Sequence, residues 1–314
     1  MKALITGING FVGRYLAEHL ITLGFEVSGT TRSSSTMINS HKVNIINNDL
    51  SSIKAITELL NITKPDHIYH LAGQSNVRYS WDNIEETFQT NTIKTINLLE
   101  AIKLSTICKN TKILTVGSSE EYGPTTTLPV DEETILQPSN PYGLSKSSLF
   151  MIGKLYYHSF GLQIIHARPF NHIGPFQSLG FVTADFAKQV VDIEKGIQSP
   201  LIKVGNLNSQ RDFTDVRDIV IAYYDLLADG EFGQVYNICS SKPVLIRDIL
   251  KYLISQCTRN IEVQIDETKF RPVDIPIYIG SNEKIRKKVG WSPKISIEES
   301  LDDILDYWRK KLLR

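Results

Sequence analysis

The sequence is poor in the features that mark small secreted, metal-bound or membrane proteins. It has three cysteines in 314 residues, Cys108, Cys239 and Cys257. They are odd in number and far apart, which argues against a disulfide framework or a zinc-ligand set, so no metal is expected. They suit a reducing compartment, and a cytoplasmic location is expected. No apolar run reaches the roughly 20 residues of a membrane-spanning helix, and no signal-peptide pattern precedes Ala3, so no membrane contact is expected. Neither sign of charge is in excess. Lysine plus arginine and aspartate plus glutamate both total 34, which leaves no basic field for nucleic acid or an anionic surface. Repeats and low-complexity tracts are missing as well; Thr31 to Ser35 is merely a short polar loop. What remains is a neutral globular chain, 41% hydrophobic, long enough for one large domain or two intimate ones.

Glycine is where the sequence is specific. Ala3 to Thr6 reads as a short buried strand, and Gly7, Gly10 and Gly13 follow at three-residue spacing. Phe11, Tyr15, Leu16 and Leu20 then recur at helical intervals. A strand, a glycine turn and a helix start form the first unit of a dinucleotide-binding fold. Gly7 permits a tight turn, Gly10 lets a diphosphate approach the backbone, and Gly13 lets the helix pack closely. The helix N-terminus then presents its N–H groups to an anion.

The strands expected next are Phe25 to Gly29, Lys42 to Asn47, His67 to Ala72, Lys112 to Val116 and Leu162 to Ala167. One long helix is expected from Asn83 to Ser105, containing Asn91. This alternation predicts a parallel, doubly wound sheet with sites at the strand C-termini. An NAD-specific fold carries an acid about 20 residues after the glycine turn, on the ribose 2′-hydroxyl. Here the positions are Thr30, Thr31 and Arg32. The missing acid and the cation favour a 2′-phosphate, hence NADP, with Arg32 as a solvated loop residue the plainer reading. Asp49 is placed either to touch an adenine amine or to cap the helix from Ser51. Small residues in Leu71-Ala72-Gly73 let the backbone lie against a cofactor.

The chemistry begins after the fifth strand, at Gly117-Ser118-Ser119-Glu120-Glu121-Tyr122-Gly123. Pro141 suits the first turn of a helix on which Tyr142 and Lys146 lie four apart, on one face. An ammonium nearby, with an oxidised nicotinamide, is expected to lower the phenol pKa from its usual value near 10. Tyr142 would then exchange a proton with a sugar hydroxyl or ketone, and Ser118 would hydrogen-bond the same oxygen.

These residues carry a resemblance. The glycine turn, Ser118 and Tyr142-x-x-x-Lys146 resemble the extended short-chain dehydrogenase/reductase family of sugar-nucleotide epimerases, dehydratases and reductases, over essentially the whole chain. Gly117 to Gly123, Ala167-Arg-Pro-Phe-Asn-His-Ile-Gly-Pro175, Phe181-Val-Thr183, Gly205 to Phe213 and Arg271-Pro272 are similar to its GDP-mannose branch. Gly10-Phe-Val-Gly-Arg-Tyr-Leu16 looks like the 4-ketoreductases of that branch. The resemblance implies a doubly wound parallel Rossmann sheet over residues 1–170, and over 171–314 mainly a smaller, interleaved C-terminal α/β lobe that binds the sugar nucleotide. Tyr236 to Cys239, Ile261 to Ile265 and a helix from Glu298 to Leu312 are expected in that lobe.

By the same resemblance the catalytic residues are Ser118, Tyr142, Lys146 and Glu120. Gly7, Asn9, Gly10, Phe11, Val12, Gly13, Arg32, Asp49, Leu50, Leu71, Ala72, Gly73 and Asn91 would hold NADP, or NAD, with Tyr142 and Lys146. Phe170 and Ile173 would flank the nicotinamide. Ser75, Ser118, Glu120, Asn171, Val182, Lys188, Arg211 and Arg271 would meet a GDP-linked deoxyhexose, the last two arginines on its diphosphate. His172 reads as structural. The implied reaction is reduction of a C4 ketone by a homodimer, giving a GDP-6-deoxyhexose such as GDP-D-rhamnose. Glu120 keeps a second reading open, because a glutamate there takes the C5 proton in the dehydratases. A 4-epimerase would need the same serine, tyrosine and lysine without the glutamate. A nucleotide sensor that had lost catalysis would not need them at all.

Overall fold

The computed structural model describes residues 1–32, 43–107, 110–269 and 275–312. In chain order the nucleotide half contains β1 (Lys2–Thr6), α1 (Phe11–Thr22), β2 (Glu26–Thr31), β3 (Val43–Asn47), α2 (Ile53–Thr63), β4 (His67–His70) and α3 (Val77–Asp82). There follow α4 (Ile84–Phe88), a π-helical turn at Gln89–Ile93, α5 (Lys94–Leu104), β5 (Lys112–Val116), α6 (Pro141–Phe160) and β6 (Gln163–Pro169). The rest holds β7 (Asn171–Ile173), α7 (Val182–Glu194), β8 (Leu201–Val204), β9 (Gln210–Asp215), α8 (Val216–Asp229), β10 (Val235–Ile238) and β11 (Pro243–Leu245). It ends with α9 (Ile246–Ser255), β12 (Glu262–Ile265), β13 (Ile277–Tyr278), α10 (Glu283–Val289) and α11 (Ile297–Lys311).

Seven strands form one sheet in the order β10-β6-β5-β4-β1-β2-β3. Every pairing in it is parallel, as the strand–helix alternation predicts. The inner strands are buried on both faces; β1 carries the apolar run Ala3 to Ile5, whereas β4 and β6 bury His67, His70, His166 and Arg168 among their apolar residues. Helices cover both sides. Leu16, Ala17 and Leu20 of α1 pack with Ile219, Ala222 and Leu226 of α8 on one face. Ile56, Leu59 and Leu60 of α2 pack with Leu98, Leu99 and Ile102 of α5 on the other.

The smaller lobe is a separate apolar cluster. Phe186, Val190 and Ile193 of α7, Ile249 and Leu253 of α9, and Leu301, Ile304 and Trp308 of α11 close over β7, β8 and β9. One expected element belongs elsewhere. The strand predicted at Tyr236 to Cys239 is β10, which joins the large sheet beside β6 rather than the lobe. Its residues are all buried, Tyr236 and Ile238 in the same core as α1 and α8. The chain therefore leaves the sheet after β6, builds part of the lobe, returns through α8 and β10, and leaves again. The long helix expected over Asn83 to Ser105 is continuous but changes pitch at the π turn, which contains Asn91.

Candidate active site

The turn after β1 has the geometry its glycines imply. Gly7 adopts φ +71°, and a Cβ there would lie 2.9 Å from Ala72 Cα, so the turn rests directly on the end of β4. A Cβ at residue 13 would lie 2.6 Å from Ile8 O. Gly10 is different: a Cβ there meets only Gly7 O, at 3.1 Å, so the glycine leaves room above the helix start. Gly10 is also the N-cap of α1, and no side chain caps the helix. The leading N–H groups, at Phe11, Val12 and Gly13, are those an anion takes at such a terminus. This cradle fits a dinucleotide diphosphate. Asn9 Nδ2 donates to Thr31 Oγ1 at 3.0 Å and ties the turn to the end of β2, where the exposed Arg32 stands.

Asp49 does not cap α2. Its carboxylate accepts from the Ser51 N–H at 3.0 Å and faces Lys94 at 3.6 Å, while Ser52 is the N-cap. Leu50 has φ +62° and turns its side chain into the core, where it is 1% exposed. Asn91, on the π turn, joins two parts of the site. Its Oδ1 accepts from Gln74 N–H at 2.7 Å, and its Nδ2 donates to Ser145 Oγ at 2.9 Å. A Cβ at Gly73 would lie 3.0 Å from that Oδ1 and 3.4 Å from Lys146 Nζ.

The fold brings Ser118, Glu120, Tyr142 and Lys146 together at the C-terminal edge of the sheet. Asn140 caps α6 by accepting from Gly143 N–H at 2.8 Å, and Pro141 fills the first turn. Asn140 Nδ2 also donates to Glu120 Oε2 at 2.8 Å, so the helix cap holds the glutamate. Ser118 stands beside Tyr142, close enough to draw its phenol pKa down, and its Oγ accepts from Glu120 N–H at 3.2 Å. Lys146 Nζ donates to Val116 O at 2.8 Å and lies 5.9 Å from the Tyr142 ring centroid.

The protein groups by themselves hold Tyr142 in its neutral form. Burial raises the Tyr142 phenol well above 10, with Glu120 and Glu121 adding to the rise and the Ser118 hydrogen bond opposing it. Burial also brings the Lys146 pKa down to about 8, against the pull of Glu121, so its ammonium is present below that pH. In these surroundings Tyr142 is a protonated phenol, ready to give a proton rather than take one.

Several expected ligands are placed otherwise. Phe170 is 2% exposed and packs with Tyr122, Val130, Cys239 and Tyr278, and Ile173 lies in the lobe core. Their side chains are thus largely taken up in packing. Lys188 pairs with Asp192 at 2.5 Å, and its ammonium sits 5.9 Å from the Trp308 ring, on the α7–α11 seam. Asn171 is exposed, donating to Asp212 O at 3.2 Å. Ser75 is exposed on the loop before α3, and Val182 opens α7. Arg211 Nη1 donates to Ile275 O at 2.6 Å. Arg271 lies outside the described residues. His172 is structural in its contacts: its ring stacks on Phe11 with centroids 6.0 Å apart, and Nδ1 lies 3.1 Å from Phe170 O.

Sequence reasoning missed the polar supports beneath these residues. His70 bridges Thr6 Oγ1 and Thr95 Oγ1, both at 2.8 Å, and burial brings its pKa down to about 3, so it is neutral. Ser80 Oγ accepts from Tyr142 N–H at 3.2 Å. These partners lie tens of residues apart in sequence, and no local pattern announces them.

Known proteins bear on this arrangement. The family model described as GDP-mannose 4,6 dehydratase matches residues 4–304. The chain is 32% identical to GDP-6-deoxy-D-mannose reductase of Pseudomonas aeruginosa, over 99% of this chain and 98% of that one. It is 28% identical to GDP-mannose 4,6-dehydratase of Yersinia enterocolitica, over 95% and 91%. The solved structure of RMD from Pseudomonas aeruginosa complexed with NADPH superposes with a TM-score of 0.86 at 32% identity, covering 99% of each chain.

Proposed function

This chain belongs to the GDP-mannose 4,6 dehydratase family, and from that premise we propose that it is the ketoreductase type, reducing the C4 ketone of GDP-4-keto-6-deoxy-D-mannose with NADPH. The observation that carries the reading is the Ser118–Tyr142 pair, with a phenol kept protonated by burial beside Lys146. A ketone being reduced needs a proton donor at its oxygen, and that is what this tyrosine is.

NADPH supplies the hydride to C4. The chain's own residues do the rest. Gly7, Gly10 and Gly13 with the N–H groups of Phe11 and Val12 receive the diphosphate, and Asn9 holds the turn. Arg32 meets the 2′-phosphate, and Asp49 and the Leu50 backbone border the adenine side. Leu71, Ala72, Gly73 and Asn91 wall the nicotinamide half. Lys146 binds the nicotinamide ribose. Ser118 Oγ orients the carbonyl oxygen, and Tyr142 delivers its proton to that oxygen as the new hydroxyl forms. Ser75, Asn171, Val182, Arg211 and Arg271 border the GDP-sugar. The nucleotide half is residues 1–170 together with α8, β10 and α10, whose Ile285 lies in the same core; the sugar-nucleotide lobe is mainly the remainder of 171–314.

The product is GDP-D-rhamnose, formed in the cytoplasm; among the described residues no helix is long and apolar enough to cross a membrane. A homodimer is supported by an apolar stripe across two adjacent helices. Leu144, Met151 and Leu155 are 49–56% exposed on α6, beside Ile84 and Ile93, which are 50% and 40% exposed.

A dehydratase is the second reading, favoured by Glu120 standing fixed beside Tyr142. Incubation with the 4-keto sugar and NADPH, followed by product identification, tests the proposal. A GDP-6-deoxyhexose is expected; recovery of unchanged ketone would refute it.

A further inference from the structure

Glu121 lies under the reactive loop, fully buried, and takes no part in the chemistry above. Its Oε1 accepts from the Ser118 N–H at 2.8 Å and lies 3.0 Å from His166 Nε2. Its Oε2 accepts from Arg168 Nε at 2.7 Å. Arg168 is 1% exposed, held between the Phe150 and Tyr122 rings at 4.4 and 4.8 Å. Its Nη1 donates to Tyr122 Oη at 3.1 Å, and that hydroxyl donates to Asn237 Oδ1 at 2.7 Å. Thr115 Oγ1 lies 2.9 Å from His166 Nδ1. The cluster therefore spans β5, its following loop, β6 and β10.

Such a cluster is a costly way to fill space. Desolvating a carboxylate and a guanidinium roughly cancels their attraction, and well-packed apolar groups would often be as stable. Burial opposes ionisation of Glu121, but His166, Arg168 and the Ser118 N–H outweigh it and hold the carboxyl below its usual range. The surroundings also make way for it. A side chain at Gly117 would collide with both Glu121 Oε1 and His166 Nε2. The carboxylate closes a capping box on the Ser118 N–H, and Ser118 is the residue whose side chain stands beside Tyr142.

We propose that Glu121, clamped by Arg168 and His166, is a positioning residue that fixes the Ser118 main chain so that Ser118 Oγ stays on Tyr142 and the substrate oxygen. The inference rests on Ser118 contacting the reacting oxygen. Glu121→Gln is the probe, because its amide must turn an NH2 onto either the Ser118 N–H or Arg168 Nε, donor against donor. A misplaced Ser118 should lower kcat on the order of tenfold to a hundredfold while KM and NADPH affinity stay within about twofold. If Glu121 acts through Ser118, then Ser118→Ala should cost less than about threefold more in the Glu121→Gln background, though it is strongly damaging in the wild type. Full multiplication of the two effects, or a loss carried by KM alone, would overturn the proposal.

Should Glu121→Gln fail to fold, Gly117→Ala displaces the same carboxylate with all charges retained, and should show the same split and the same non-additivity. Hydrogen exchange at the Ser118 amide needs no substrate. Protection should fall by at least ~10-fold in Glu121→Gln, and unchanged protection would contradict the proposal. Wild-type turnover tests the reductase reading itself, so its failure would indict the substrate, whereas failure of the exchange result would indict Glu121.

Discussion

The two sides of this site are made by different means. On the cofactor side the geometry resides in the backbone: Gly7 turns at φ +71°, and Gly13 admits no side chain against Ile8 O. On the substrate side it resides in polar side chains, with half-buried Asn140 holding Glu120 and buried Glu121 holding Ser118. In the backbone cradle Gly10 and Gly13 meet only Gly7 and Ile8 of the same turn, and Gly7 alone reaches out, to Ala72. The polar side joins residues up to 115 positions apart, as in the Tyr122–Asn237 pair. The first should break through sterics and take cofactor binding with it. The second should break through lost contacts and take only the chemistry.

Tyr142→Phe is the largest test of that separation. It removes the proton donor and keeps the ring, so turnover should fall by roughly 10²–10⁴-fold. NADPH affinity, followed by fluorescence titration, should be unchanged; a parallel loss of affinity would merge the two sides. Gly13→Ala attacks the other side. The added methyl should cost about 1–3 kcal/mol in stability by denaturant titration and weaken NADPH. Full-affinity NADPH binding in that variant would mean the turn can relax away from Ile8.

Arg32→Ala should weaken NADPH by roughly tenfold, the size of a charged hydrogen bond to a phosphate, and leave NADH alone. Equal changes in both would place Arg32 away from the 2′-phosphate. The smallest effect is in pH. With a pKa of about 8, the Lys146 ammonium is present below that pH and lost as pH rises through it. kcat/KM, which reports the free enzyme, should fall along an alkaline limb near pH 8. The unfolded lysine keeps its proton up to about 10.5, so between these values the unfolded state binds more protons and stability should rise with pH. Activity and stability moving in opposite directions would be the signature of Lys146; a limb that persists in Lys146→Met would assign it elsewhere.

The same division explains what could be read in advance. The strand, turn and helix at the N-terminus and the Tyr142–Lys146 face are local patterns, and the parallel sheet follows from their alternation. β10 was expected in the lobe because it lies well inside the C-terminal half, and nothing in four apolar-leaning residues says which sheet they join. The π turn at Asn91 leaves no mark on helical periodicity. Lys188 looked like a free cation until Asp192 and Trp308 were seen around it. The resemblance alone puts Phe170 at the cofactor, yet its ring completes a core cluster with Tyr122 and Tyr278. The raised phenol of Tyr142 depends on burial, which spacing alone does not reveal.

Reduction of a ready-made ketone consumes one NADPH for each product, whereas elimination from GDP-mannose recycles its cofactor and needs a base at C5. The most direct measurement is therefore paired: NADPH oxidised per product from GDP-4-keto-6-deoxy-D-mannose, and 4-keto sugar formed from GDP-mannose with NADP⁺. The account predicts stoichiometric NADPH oxidation in the first, persisting at a reduced rate in Glu120→Gln, and no ketone in the second. Ketone formation from GDP-mannose by the wild type, abolished in Glu120→Gln, would contradict it and make the protein a dehydratase.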